Sequence, residues 1–185
     1  MAYNVPTYDT TRFSFGPGIL YLGAEGTTPL VDVGAVKSDG ISFEVEREIL
    51  QVHQGSPQSL VAQYVTKESA KMKISGIEWN FNNLSYLLGA GVTGGIGSYQ
   101  ETLEFGGAMT MSTRALRFVH RTPDGGTIDI QMFKVQGAGK VTINLNGTDM
   151  HDFPMEFTTL EGTTGFTGSA LADSKKHFKI IRTKV

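Results

Sequence analysis

The chain of 185 residues contains no cysteine. It therefore has no disulfide framework, no thiolate ligand for a metal ion and no cysteine nucleophile. A protein without these covalent restraints must gain its stability from packing or from association with other chains. At this length one domain, covering residues 1–185, can bury a hydrophobic core of its own.

Long hydrophobic runs are also missing. No window approaches the roughly 18 consecutive apolar residues that a membrane-spanning helix needs. The amino-terminal residues Met1-Ala2-Tyr3-Asn4-Val5-Pro6 do not combine a basic stretch with an apolar run, as a secretory signal would. We therefore expect a soluble protein that is made in the cytoplasm and has no membrane partner.

Charge is sparse and unevenly distributed. Charged residues make up 18 % of the chain and the net charge is -2. The segment 175–185 is nevertheless basic, with Lys175, Lys176, Lys179, Arg182 and Lys184. Because Phe178, Ile180 and Ile181 alternate with these charges, the segment is either a solvated terminal strand or a contact between subunits.

Glycine is abundant, with 23 residues, and Thr, Ser and Val are frequent. This composition is typical of short strands joined by turns and predicts an all-β protein with one short α-helix, built as a β-sandwich or barrel. Strands are predicted at residues 15–23, 30–36, 41–49, 65–77, 115–121, 127–135, 140–145 and 153–160, and a last one in the basic terminus. Residues 1–14 are predicted to form a loose arm and 91–98 a flexible loop. The turn Pro123-Asp124-Gly125-Gly126 is the strongest hairpin signal.

One helix is predicted at residues 80–88. Asn80 is a good N-cap and Gly89 can take the left-handed conformation that ends a helix. The apolar stripe that should pack against the sheet consists of Phe81, Leu84, Leu87 and Leu88. We expect this helix to cover one open end or face of the sheet.

The strand 41–49 carries Glu44, Glu46 and Glu48 on one face, because side chains alternate with a period of two. Two interpretations remain open. The three carboxylates could line a channel, or they could pair with Lys71 and Lys73 on the returning strand or contact a neighbouring subunit.

Residues 50–65 follow this strand and are interpreted as a long extended arm, not as a tight hairpin. Gly55, Ser56 and Pro57 mark its tip. The arm includes Gln51, Val52, His53, Gln54, Gly55, Ser56, Pro57, Gln58, Leu60, Val61 and Tyr64. Such an arm should be mobile in a free subunit and ordered in an assembly.

Motifs for catalysis and cofactor binding are weak. Gly89-Ala90-Gly91-Val92-Thr93-Gly94 matches G-x-G-x-x-G, but the predicted helix precedes the glycines instead of following them. His53, His120, His151 and His177 are scattered without metal-ligand spacing. The row of three glutamates lacks a partner nucleophile and an enclosing pocket. We therefore expect neither an enzyme nor a cofactor or metal site.

Several segments together resemble the phage tail tube proteins, also called major tail proteins. They are Asp32-Val33-Gly34-Ala35-Val36 leading to Gly40-Ile41-Ser42-Phe43-Glu44-Val45, the tip Gln54-Gly55-Ser56-Pro57, Ile77-Glu78-Trp79-Asn80, and Leu87-Leu88-Gly89-Ala90-Gly91. The resemblance implies hexameric rings whose inner strands join into one continuous barrel. It also implies that the arm reaches onto the adjacent ring, so that the arm residues from Gln51 to Tyr64 are the candidate ring-stacking contacts.

The same resemblance implies a structural virion protein whose stacked rings conduct double-stranded DNA and hold the tape measure protein. Its implied partners are identical copies, the tape measure protein, the tail terminator, the baseplate or tail-tip proteins and a sheath protein where one exists. An acidic channel would not adhere to DNA. Two alternatives remain open: a tube protein of a contractile bacteriocin or injection machine, and a monomeric β-sandwich module that binds a ligand through the loops at residues 91–98 and 123–126.

Overall fold

The computed structural model describes residues 18–93, 99–107, 111–143, 145, 147–148 and 151–184. These residues form an all-β protein with one short α-helix. The strands are β1 (Gly18–Gly23), β2 (Val31–Asp32), β3 (Val36–Gln54), β4 (Ser59–Gly76), β5 (Gly91–Thr93), β6 (Thr102–Glu104), β7 (Arg114–Arg121), β8 (Thr127–Gly137), β9 (Phe153–Thr159) and β10 (Phe178–Thr183). The helix α1 spans Phe81–Leu88.

Eight of these strands form one antiparallel sheet in the order β2-β1-β7-β8-β9-β4-β3, with β10 paired to β8 beside this path. Strand β8 changes neighbours along its length. Its first half pairs with β10, from Thr127 to Met132, and its last residues, Val135 to Gly137, pair with β9. The sheet is open, since no ladder joins β2 to β3.

The sheet folds over a single main core. Side chains from β1, β7 and β8 meet side chains from β4 and β9, and the fully buried residues at the centre include Leu20, Met72, Leu116, Met132 and Phe157. The two end strands of the sheet are consecutive in the chain, because only residues 33–35 separate β2 from β3. The sheet therefore curls until its ends nearly meet at this point.

Helix α1 packs against the core beside this connection. Leu84 and Leu87 are buried, and Phe81 and Leu88 are half-buried. The Asn83 amide donates a buried hydrogen bond of 2.7 Å to the Val33 carbonyl, which ties the helix to the residues between β2 and β3. The predicted caps are confirmed: the Asn80 side chain accepts from the Asn83 backbone amide, and Gly89 is left-handed with φ of 67°.

Most of the predicted elements are confirmed. The all-β class, α1 and strands β1, β7, β8 and β9 lie where the sequence predicts them, and the basic terminus does contain a strand, β10. The turn at residues 123–126 joins β7 to β8 as a hairpin. The Thr122 amide donates to the Gly126 carbonyl at 3.0 Å, and the Gly125 amide donates to the Thr122 carbonyl at 3.0 Å.

Four local predictions are wrong. Residues 50–65 are extended, as the sequence predicts, but they form the end of a tight hairpin instead of a long arm, with β3 and β4 paired up to Gln54 and Ser59. Residues 140–143 are not a strand, residues 91–93 of the predicted loop are strand β5, and the predicted strand 30–36 is reduced to β2 before β3 begins. The arm predicted at residues 1–14, loop residues 94–98 and position 144 lie outside the described residues.

Candidate assembly surface

Strands β3 and β4 form a hairpin that is much longer than the body of the sheet. At about 3.3 Å per residue, the residues of β3 reach roughly 60 Å. Strand β9 pairs with β4 only between Lys71 and Gly76. From Ala70 to the turn at residues 55–58 the hairpin is therefore two-stranded in the described part of the chain.

The hairpin has two distinct faces at its base. Phe43, Met72 and Ile74 point to the core. The opposite face of β3, β4 and β9, which we call the outer face, carries Glu44, Glu46, Glu48, Lys67, Lys71, Lys73 and Glu156, since these residues alternate with the core residues in the paired registers. Glu44, Glu46 and Glu48 therefore lie on one face of β3, as the sequence predicts.

Each of these three glutamates lies next to a lysine on β4. The distances between Nζ and Oε are 3.3 Å for Lys73 and Glu44, 3.8 Å for Lys71 and Glu46, and 2.9 Å for Lys67 and Glu48. The predicted pairing with Lys71 and Lys73 is confirmed. The hydrogen bond from Lys67 to Glu48 raises the pKa of Lys67.

Lys67 was missed by the sequence reasoning, although a signal was present. Residues 67, 69, 71 and 73 share one face of an extended strand, so continuing the alternation backwards from Lys71 places Lys67 on the glutamate side. The carboxylates remain about half exposed while they are paired. Pairing is therefore compatible with a face that contacts solvent or a channel, and the lumen-lining role of the glutamates stays a prediction.

The distal hairpin, residues 49–66, has a different chemistry. It contains no Asp, Glu, Lys or Arg. Its large apolar side chains are between 39 and 60 % exposed, and they are Ile49, Leu50, Val52, Leu60, Val61, Tyr64 and Val65. They occupy both faces, because Leu50 pairs with Tyr64 on one face and Ile49 pairs with Val65 on the other.

The residues predicted for a ring-stacking arm all lie in the distal hairpin. Gln51, Val52, His53 and Gln54 belong to β3, Gly55, Ser56, Pro57 and Gln58 form the turn, and Leu60, Val61 and Tyr64 belong to β4. Two register shifts, between Glu48 and Ile49 and between Val52 and His53, each leave one extra residue on β4. Such bulges increase the twist of a two-stranded ribbon.

The outer edge of β3 is unpaired along its length in the described residues. A free edge of this length is a template for pairing with another chain, and native proteins rarely leave one uncovered. Strand β10 also has one free edge, since β8 is its only partner among the described strands. The start of β10 packs near the hairpin base, where the rings of Phe43 and Phe178 lie 5.2 Å apart.

A groove of about 470 Å³ borders the outer face. Ser42, Lys73 and Glu156 line it, together with Ala138, Lys140 and Thr142. The loops that a ligand-binding module would use, at 91–93 and 123–126, do not line this groove. Among the described residues no group of three or more His, Asp or Glu side chains is placed to hold a metal ion.

The basic terminal segment is held to the body at its start. Lys176 bridges Glu161 and Asp173, and the hydrogen bond to Glu161 raises the pKa of Lys176 and lowers that of Glu161. No helix in the described part of the chain is long and apolar enough to cross a membrane. The chain matches no protein-family model and no curated protein.

Proposed function

We propose that this protein is a structural subunit whose copies assemble into rings, and that the rings stack into a tube. In line with the resemblance of its sequence segments, the tube is a phage tail tube, a part of the virion that conducts double-stranded DNA. The proposed partners are identical copies first, then the tape measure, terminator, tail-tip and sheath proteins that such a tube contacts.

The distal hairpin is the observation that carries the proposal. A two-stranded hairpin is at best marginally stable alone in water, and apolar side chains on both faces make it adhesive. In the described part of the chain no third strand pairs with this segment. Since it is long, uncharged and apolar on both faces, its natural environment is a contact between protein surfaces, and the proposed contact is the adjacent ring.

The open sheet supports assembly into rings. A single chain with eight sheet strands can close at most a barrel that is filled by its own side chains or by one small ligand. A channel wide enough for duplex DNA needs strands from several copies. The free edge of β3 is available for such a shared sheet.

The charge of the outer face supports a conduit. Four carboxylates and three lysines leave this face close to neutral. Duplex DNA binds strongly to basic surfaces because it releases counterions there, so a balanced face lets DNA slide without adhering. Under this proposal Glu44, Glu46 and Glu48 line the lumen together with their lysine partners.

The test is the assembly state of the purified full chain. Sedimentation velocity and negative-stain microscopy over a range of concentration and salt should show rings and then tubes with a central channel. A chain that remains a monodisperse monomer under all these conditions would contradict the proposal and favour the ligand-binding module. A capsid on particles that contain the tube distinguishes a phage from a bacteriocin or injection machine.

A further inference from the structure

Residues 140–143 have the side-chain arrangement of a strand but lack its hydrogen bonds. Lys140 and Thr142 line the groove beside the outer face, and Val141 between them packs against the core. Side chains that alternate between the two faces of the neighbouring sheet are typical of an extended chain. The segment thus continues the surface of the sheet beyond β9.

The ladder between this segment and β9 ends early. The last bond is donated by the Ala138 amide to the Glu156 carbonyl at 2.9 Å. No backbone hydrogen bond joins residues 139–143 to another described residue. Backbone amides and carbonyls in such a position need a partner when they are removed from water.

We propose that residues 140–143 become a strand on assembly by pairing with the free edge of β3 in a second copy. This inference rests on the proposed function, and it names the seam between neighbouring subunits of a ring. One copy then contributes four adjacent strands in the order β3, β4, β9 and the segment 140–143. Because the seam joins different edges of identical copies, it repeats around a ring.

Strand direction favours this pairing over the alternatives. Each neighbouring pair in the order β3, β4, β9 and β8 is antiparallel. The segment 140–143 continues β8, so its direction is opposite to that of β3, and a seam between them is antiparallel. A seam between β3 and β10 of the next copy would be parallel in the same sheet, since β10 is antiparallel to β8. Parallel pairing is slightly less stable per residue.

A seam formed by two β3 edges would also be antiparallel, but it gives a two-fold dimer. Such a contact uses the same edge on both copies and closes after two. It leaves residues 140–143 unpaired in each chain. The two seams therefore predict different neighbours for β3, and cross-linking can distinguish them.

The absence of cysteine allows a direct test. Thr142→Cys is prepared as one variant, and Ser42→Cys, Glu44→Cys, Glu46→Cys and Glu48→Cys as four others, all on the outer face. Thr142→Cys is mixed with each of the four variants, and each mixture is assembled and oxidised. Since every chain carries one cysteine, a disulfide bond between the two variants must join two different copies. Val45→Cys is the matched control, because Val45 lies on the opposite face of the same strand.

The seam predicts a cross-linked dimer between Thr142→Cys and one or two adjacent positions of β3, and none with Val45→Cys. Tubes that form without any such cross-link would overturn the seam and leave the proposed function intact. If a single β3 variant cross-links to itself without Thr142→Cys, the proposed seam is wrong and the two-fold contact between two β3 edges is correct. If no rings or tubes form, both proposals fail.

Hydrogen exchange gives a second readout on the unsubstituted chain. The amides of Val141, Thr142 and Ile143 should exchange at least roughly tenfold more slowly in tubes than in the unassembled chain, because the seam hydrogen-bonds this segment. Exchange in β7 and β8, which are paired before assembly, should change little. Equal exchange of residues 141–143 in both states would contradict the inference.

Discussion

Gly137 lies directly under the last turn of α1. A Cβ atom at this position would lie 2.4 Å from the Leu87 carbonyl oxygen and 2.6 Å from the Leu87 Cα. Since Leu87 is fully buried, the helix must move to accommodate any side chain there. We predict that Gly137→Ala lowers the free energy of unfolding by about 1–3 kcal/mol, as overpacking does in other cores.

Urea unfolding of the unassembled chain measures this effect. Gly147→Ala is the matched control, because no atom of the described residues lies within 4 Å of the Cβ position there. An equal and small effect of both substitutions would show that the helix does not depend on close contact with β8.

Asp124 in the turn between β7 and β8 predicts a pH dependence. Hydrogen bonds from the Thr122 hydroxyl and the Gly126 amide lower the pKa of Asp124 below its usual 3.8. A carboxyl whose pKa is lower in the folded state stabilises the fold above pH 3.8, and this stabilisation is lost as the pH falls through the folded-state pKa. Asp124→Asn should therefore be less stable than the natural chain at neutral pH, and the difference should shrink as the pH falls through the folded-state pKa of Asp124.

The urea midpoints of both chains between neutral pH and about pH 2 give the measurement. Glu104→Gln is a suitable control, because Glu104 is exposed and lies outside the turn. If the difference in urea midpoint between Asp124→Asn and the natural chain stays the same down to the most acidic pH, ionisation of Asp124 is not its cause.

Residue-level predictions succeeded where the signal is local. Asn80 and Gly89 cap the helix through groups within a few residues, so the sequence alone predicts both ends. The pairing of Lys71 and Lys73 with glutamates needed only the alternation of two neighbouring strands. The Arg117–Asp129 pair, with a bidentate geometry at 2.9–3.1 Å, was not predicted because it depends on the register of β7 and β8.

At the scale of elements, the distal hairpin is predicted to be dispensable for folding and required for stacking. Glu48 and Lys67 lie opposite each other, so a two-residue Asn-Gly turn can replace residues 49–66 and close the shortened hairpin. The body should unfold at nearly the same temperature, because the removed residues make few core contacts. Long tubes should be absent in negative-stain images.

The matched control replaces only the tip. Gln54 and Ser59 are also opposite each other, so an Asn-Gly turn can replace residues 55–58 and keep the apolar faces. This variant should still form tubes if the apolar faces provide the contact. Long tubes from the chain lacking residues 49–66 would remove the stacking role.

The elements that sequence reasoning missed depend on partners or on irregularities. The two extra residues on β4 interrupt the period of two. The sequence pattern therefore does not predict a strand over the returning half of the hairpin. Residues 140–143 alternate as a strand should, but a strand also needs backbone hydrogen bonds to a neighbour, and residues 139–143 make none to the described part of the chain. Propensity alone does not contain that information.

At the scale of the whole molecule, the balance of charge on the outer face should control DNA retention. Replacing Glu44, Glu46 and Glu48 with Gln leaves three lysines facing one glutamate. If this face lines the channel, tubes of the variant should retain short duplex DNA at low salt and release it as salt increases, because counterion release drives the binding. Co-sedimentation of DNA with tubes over a salt series measures the effect.

A charge-balanced variant is the control. Changing Lys67, Lys71 and Lys73 to Gln in addition restores the original net charge of the face while it removes the same ion pairs. Tubes of this variant should retain no more DNA than natural tubes. Equal DNA retention by all three kinds of tube would place the outer face away from the channel.

The tip of the hairpin and helix α1 lie at opposite ends of β3 and β4, because the turn at residues 55–58 closes one end and α1 follows Gly76 at the other. Any filament that repeats this subunit along the hairpin direction is polar. One terminus exposes uncharged ribbons and the other exposes helices, so the two termini grow at different rates. A protein that caps one terminus of such a filament would not fit the other terminus, and the orientation of each subunit would set the direction of growth.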